Sequence, residues 1–336
     1  MSGTAHDTTN VNTERQGGAD GPRRDYRPEG VARSSSSLAA LKRSFKEYSE
    51  DNMSDWAAAL TYYGLLAVFP ALIALVAIVG LVGNPASTTH QLVEIVGKLG
   101  PSSAKQTFEG PIKAITQQRS AAGVLLIVGT VAALYSASSY VGAFSRASNV
   151  IFETPEGRPI WKLKPQQLLV TLVILLLLVV IALSLVLTGP VVTAVASPLG
   201  ISSSAVSVWD IAKWPVLVLF MILMFSLLYY SSPNVKMRRF RSVAPGAAFA
   251  LVVWLVASAA FASYVANFGS YNKTYGTLGG AVVFLVWMWL TNAALLLGAQ
   301  LNSERERAAE IAEGRPRAER ELQMEPREEP RTPQTT

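Results

Sequence analysis

The chain has 336 residues, no cysteine, a net charge of +6 and a hydrophobic half, yet only 15% of it is charged. A soluble protein carries about 25% charged residues, and the shortfall is uneven: Ala57 to Gln300 holds five carboxylates, Glu94, Glu109, Glu153, Glu156 and Asp210. These figures exclude disulfides, thiolate metal sites and a cysteine nucleophile, and they argue against water as the solvent of this chain.

Residues 1–37 are polar and lack an apolar run, which predicts a disordered tail without a cleavable signal peptide. Leu38, Leu41, Phe45 and Tyr48 recur at helical spacing with Lys42, Arg43 and Lys46 between them, behind Ser34–Ser37 as caps. That pattern predicts a short amphipathic helix lying at a membrane interface. A hydrocarbon core about 30 Å thick needs roughly 20 apolar helical residues to span it. Six segments qualify: 57–82, 122–141, 168–188, 209–230, 244–268 and 276–300. Leu168–Thr188 carries no charge on any face, unlike a packed soluble helix. Pro70 predicts a kink in the first span. Between spans one and two, two apolar clusters (Leu92 to Leu99, and Phe108 to Ile115) predict short external helices broken at Gly100–Pro101 and Gly110–Pro111. The fold class is therefore all-α: a polytopic membrane protein with a six-span domain over 38–304 and a charged, largely disordered tail over 305–336.

Orientation follows the cations. The two termini, the second gap and the fourth gap hold 23 of the 29 Lys and Arg residues, which places both termini in the cytoplasm. The pI near 9.5 is then a topology signal rather than a nucleic-acid footprint.

The most informative local pattern lies on the second span. Tyr135, Ser138, Ser139, Gly142, Ser145, Arg146 and Asn149 share one helical face, opposite Leu134, Ala137, Val141 and Phe144. Polar groups in a bilayer face protein or water, so the stripe reads either as a cavity wall or as close helix packing. Thr61 and Tyr62 of the first span, and Tyr229 to Ser232 of the fourth, fall at the same depth. Together they outline a vestibule, although tyrosines also mark ordinary interfacial belts. Asn292 sits mid-span in the sixth, where an amide bonds a neighbouring helix or a ligand. Gly276 and Gly280, and the small residues Ala244 to Ala250, predict close helix contacts.

Four stretches, AALTYYGLLAVFPALIAL, YSASSYVGAFSRASNVIFE, YYSSPNVKMRRFRSVAPGA and SYNKTYGTLGGAVVFLVWMWLTNAALLLGAQLNSE, resemble the BrkB/YihY family of bacterial inner-membrane proteins. The resemblance covers Leu38 to Glu304 in order and implies six membrane helices. Some members carry a serum-resistance name, a ribonuclease label was once attached to the family, and transport has been proposed.

Three function classes are weighed. A metal-dependent nuclease needs clustered carboxylates or histidines. The chain offers His6, His90 and the pair Glu153 and Glu156, which reads as a solvated loop. No GxSxG, HExxH or GxxxxGK(S/T) motif occurs, so neither an enzyme nor a bound cofactor or metal is expected. A transporter or flippase fits the stripe, and no charge at a bilayer centre favours a lipid or other amphiphile over a coupled ion. An envelope scaffold is the alternative, its Arg clusters touching anionic headgroups. The partners expected are membrane lipids, with no nucleic acid and a homo-oligomer left open. Candidate path residues are Thr61, Tyr62, Tyr135, Ser138, Ser139, Ser145, Arg146, Asn149 and Asn292.

Overall fold

The computed structural model describes residues 37–82, 119–186, 203–267 and 271–330. Among them are seven α-helices and no strand: α1 (Ser37–Glu50), α2 (Met53–Val82), α3 (Arg119–Ile151), α4 (Ile160–Val186), α5 (Ser203–Ser231), α6 (Ala244–Asn267) and α7 (Tyr271–Ala312). A single 3-10 turn, Phe240–Val243, precedes α6. The 1–37 tail up to residue 36 and the external helices expected between spans one and two lie outside the described residues.

Among the described residues, five helices are long and apolar enough to cross a membrane, over Ile127–Ile151, Ile160–Ile181, Ile211–Ser231, Phe240–Asn267 and Gly279–Ala312. The 30-residue α2 matches the first expected span and runs helically through position 70. The expected boundaries shift most at the second span: α3 continues to Ile151, ten residues beyond Val141, so Ser145, Arg146 and Asn149 belong to the membrane helix itself. No more than a third of each crossing window is buried inside the chain. Val131, Leu176, Leu219 and Val256 are over half exposed, as expected where lipid takes the apolar perimeter. The protein is an all-α, multi-pass membrane protein.

The six long helices close a ring in chain order, α2 to α3, α4, α5, α6 and α7, with α7 returning to α2. Chain breaks explain the turns. Asn52 (φ 51°) reverses the chain between α1 and α2 in the left-handed region that asparagine tolerates. Pro155 and Pro159 separate α3 from α4, and Ser231-Ser232-Pro233 ends α5. α6 and α7 approach closest where Gly246 meets Gly298: a Cβ on Gly246 would lie 2.3 Å from the Gly298 carbonyl oxygen. The close contact expected from the Gly276–Gly280 pair is not at Gly280, whose Cβ position faces open space. Small residues permit close approach without selecting which of them is used.

α1 buries Ala40 and Ser44 while Leu38 and Phe45 stay exposed, and Arg43 ties it to α7 through Glu304 at 2.7 Å. The tail expected to be disordered is placed from 305 to 330. α7 extends as a helix to Ala312, the chain turns at Gly314 (φ 74°), and an extended segment then docks on the loops at the basic end. Distant partners supply its order. Val235 and Pro326 form an antiparallel bridge, Lys236 N–H donates to the Glu325 carbonyl at 2.8 Å, and Arg327 N–H donates to the Asn234 carbonyl at 2.9 Å.

Candidate functional site

The α3 stripe divides in two. At about 100° per residue its seven positions cover an arc of roughly 120°. Ser138, Gly142, Ser145 and Asn149 occupy the half turned into the protein and are buried. Tyr135, Ser139 and Arg146 occupy the other half; Tyr135 and Arg146 are exposed and Ser139 partly so. They continue the apolar outward line of Val128, Val131 and Val150. Ser138 and Ser139 hydroxyls both donate to the Tyr135 carbonyl, at 2.7 and 3.2 Å. Arg146 lies 5.6 Å over the Tyr63 ring, and the Lys164 ammonium lies 5.7 Å over the Tyr135 ring. Tyr62, also exposed, meets Tyr63 edge-on.

Asn292 is 3% exposed and bonds two neighbouring helices. Its amide donates to Thr61 Oγ1 at 3.0 Å, and its carbonyl oxygen accepts the Tyr140 hydroxyl at 2.7 Å. Thr61 in turn donates to the Ala57 carbonyl. The expected vestibule tyrosine Tyr229 is buried, stacked on Phe144 with ring centroids 6.0 Å apart, and donates to the Leu295 carbonyl.

A half-open cavity of about 370 Å³ lies between the helices, and all six long helices line it, with Gly64, Val141, Ile174, Met224, Trp254 and Leu295 among its walls. α3 contributes Ala137, Tyr140 and Val141, mostly from the side that the sequence pattern set opposite the hydroxyl stripe. None of the nine sequence-derived candidates lines it; Asn292 and Thr61 reach it only through Tyr140. Its polar wall groups bond protein. Thr171 donates to the Gln167 carbonyl, and Thr291 donates to the Trp287 carbonyl while accepting from Trp254 Nε1 at 3.0 Å. The surface presented inward is therefore hydrocarbon and aromatic.

The basic end carries a second arrangement. Arg158, with a side chain 4% exposed, holds Glu156 through two nitrogens at 2.8 and 2.7 Å and donates to the Ser232 carbonyl at 2.7 Å. Asn149 donates to Glu156 at 2.9 Å and accepts the Asn234 backbone N–H at 2.7 Å. Burial pushes the Glu156 carboxyl up, but hydrogen bonds from Arg158 and Asn149 outweigh it and hold the group below its ordinary value. Burial and the nearby Arg158 guanidinium push Arg327 below the usual arginine value. Glu153, at φ 50° in a region that costs a non-glycine residue energy, accepts from Arg307 and from the Leu322 N–H. Arg307 also meets Glu304, 1% exposed, at 3.0 Å. Glu153 and Glu156 stay exposed, as their loop position suggested, but neither is free. Each is bound to an arginine, and the partners are far away in sequence or hidden behind a proline-rich turn. Among the described residues no three His, Asp or Glu side chains gather as a metal-holding group.

The sequence profile of the family described as "Virulence factor BrkB" matches residues 44–322. The chain belongs to the BrkB family. The BrkB match runs 18 residues past Glu304 and ends before Glu325, Pro326 and Arg327, which dock on the loops. Among BrkB-like relatives, a ribonuclease-like protein, YfkH, of Bacillus subtilis is 31% identical over 79% of this chain and 94% of its own length. A UPF0761 membrane protein of Chromohalobacter salexigens is 28% identical over 81% of this chain, which spans 65% of that protein's length. A UPF0761 membrane protein of Haemophilus influenzae is 26% identical over 77% of this chain and 92% of its own. No solved structure matches the chain.

Proposed function

We propose that this BrkB-family protein moves a lipid or other amphiphile across the bacterial inner membrane, with the ring cavity receiving the apolar part of the substrate. One observation carries the reading: a space of about 370 Å³ bounded by all six long helices, whose polar wall groups are already bonded to protein. Such a wall offers burial to hydrocarbon and little to an ion. The reading takes α2 with the five apolar helices as six spans, and the sequence distribution of Lys and Arg supports cytoplasmic termini. Thiol labelling of a Lys236→Cys variant in intact cells tests that orientation; an external label inverts it.

The test of function is reconstitution into liposomes with a fluorescent-lipid translocation readout. Wild-type protein accelerates translocation, and Ile174→Trp or Ala137→Phe, which fill the cavity, cut the rate about tenfold or more. Unaccelerated translocation, or equal rates in the filled variants, rejects the reading. Arg146→Ala and Ser139→Leu in the same assay report on the outward half of the stripe.

A non-transporting envelope scaffold is the second reading, favoured by the tail segment that binds two loops together at the basic end. A ribonuclease is the least favoured, because Glu153 and Glu156 spend their oxygens on Arg307, Arg158, Asn149 and the Leu322 N–H. RNA cleavage by purified protein that disappears in Glu153→Gln or Glu156→Gln restores it.

A further inference from the structure

We propose that the outward α2–α3–α4 face binds anionic phospholipid headgroups, with Arg146 and Lys164 as its cations. Many cations at the basic end meet carboxylates, while others, Arg239, Arg241 and Arg327 among them, meet none among the described residues, Arg327 lying over the Tyr230 ring. Arg158 meets Glu156, Lys162 meets Glu328, Lys236 meets Glu325, Arg238 meets Glu306, and Arg307 meets Glu304. Arg146 and Lys164 are the carboxylate-free cations of the outward α2–α3–α4 face. Among the described residues neither meets a carboxylate; each lies over a tyrosine ring, at 5.6 and 5.7 Å.

A ring contact occupies the π face and leaves the N–H donors unspent, five of them on a guanidinium and three on an ammonium. Arg146 is exposed on the same line of α3 as Val128, Val131 and Val150, so the medium it meets is the edge of the bilayer. A cation there needs an anion, because hydrocarbon supplies no counter-charge. The headgroup layer offers phosphate, which accepts charge-assisted bonds from both residue types. Tyr62 and Tyr135 are 59% and 62% exposed, and their hydroxyls, without protein partners among the described residues, add two donors. Arg146 pairs with Tyr63 of α2 and Lys164 reaches from α4 to Tyr135, so the two cations flank one outward strip of α3.

Charge selects the lipid. Two cations with no carboxylate between them complement a net negative headgroup, whereas the ammonium of a zwitterionic headgroup finds no acceptor charge on this strip. The site is separate from the ring cavity and independent of any flux.

Native mass spectrometry of the full-length, delipidated protein decides it, with phosphatidylglycerol and phosphatidylcholine offered at equal mole fraction. Wild-type protein retains phosphatidylglycerol in preference. Each cation contributes about fivefold to that preference, from roughly 1 kcal/mol per basic residue at a headgroup layer. The Arg146→Gln, Lys164→Gln double variant loses the preference, while Lys46→Ala, an exposed cation already paired with Glu50, leaves it unchanged. Millimolar inorganic phosphate leaves the lipid bound. Equal retention of the two lipids, an undiminished preference in the double variant, or displacement by inorganic phosphate each overturn the proposal, the last by assigning the face to a soluble anion. If the double variant unfolds, Lys164→Gln alone is read, and an unchanged preference overturns the proposal. Retention is an equilibrium readout, so a protein that moves no lipid at all still decides the question.

Discussion

The two ends of the helix ring are held together by different forces. At the basic end, buried ions and amides join every loop. Arg158 reaches the α5 terminus, Glu153 reaches α7 and the tail, and Asn149 and Asn234 bond each other across α3 and the loop after α5. Around the cavity, contacts are apolar, with Asn292 and the Trp254–Thr291 bond as the main polar ties. In lipid the outside of a helix is as well solvated as its inside, so apolar contact alone sets relative position weakly. Directional bonds do that work better, and they are concentrated away from the cavity. The molecule thus pairs a fixed base with a wall whose side chains are free to repack.

The sharpest way to break this contrast is Arg158→Ala. It leaves Glu156 and two carbonyls without their cation in a buried site, an expected loss of about 3–5 kcal/mol, read by thermal unfolding in detergent. A loss under 1 kcal/mol would mean that the base is not what fixes the ring. Gly246→Ala comes next. Its Cβ would lie 2.3 Å from the Gly298 carbonyl oxygen, and the forced separation of α6 and α7 costs about 1–3 kcal/mol. Gly280→Ala, facing open space, costs nothing measurable beyond about 0.5 kcal/mol.

In the apolar half the largest expected effect is smaller. Asn292→Ala costs about 1 kcal/mol, the usual scale of an interhelical bond in a membrane, and a value above the Arg158→Ala loss would reverse the comparison. The smallest effect concerns acid. Glu156 is held below its ordinary value of 4.5, so its contribution is present above that value and fades as pH falls through the lower folded one. Wild-type protein therefore loses stability faster than Glu156→Gln on acidification below about pH 4.5, measured as the melting temperature of each against pH.

Much of the fold was legible because lipid imposes a simple rule. Runs such as Leu168–Thr188 have no other stable home, and α3 was misjudged only at its end, where Ser145, Arg146 and Asn149 resemble a loop by polarity yet stay helical. The site was less legible. In a soluble helix a polar stripe points to water, but here Arg146 faces outward and Ser145 inward, 100° apart. The pattern locates the stripe without saying where the helix boundary falls across it. The cavity was missed because its wall, Ala137 and Val141 included, is written in the same apolar residues that face lipid. The tail was missed because its composition is that of a disordered segment, and its partners lie far back in the chain: Glu328 pairs with Lys162, 166 positions earlier.

The 42-residue α7 runs without a break from the cavity wall to the tail turn. At 1.5 Å per residue it is about 63 Å long, roughly twice the hydrocarbon thickness. Its tightest clasp is at Gly298, about 16 Å from Trp287 in one direction and about 21 Å from Ala312 in the other. A rod held about two-thirds of the way along behaves as a lever, so any tilt about Gly298 that opens the ring beside Trp287 swings Ala312 the opposite way by a slightly larger amount.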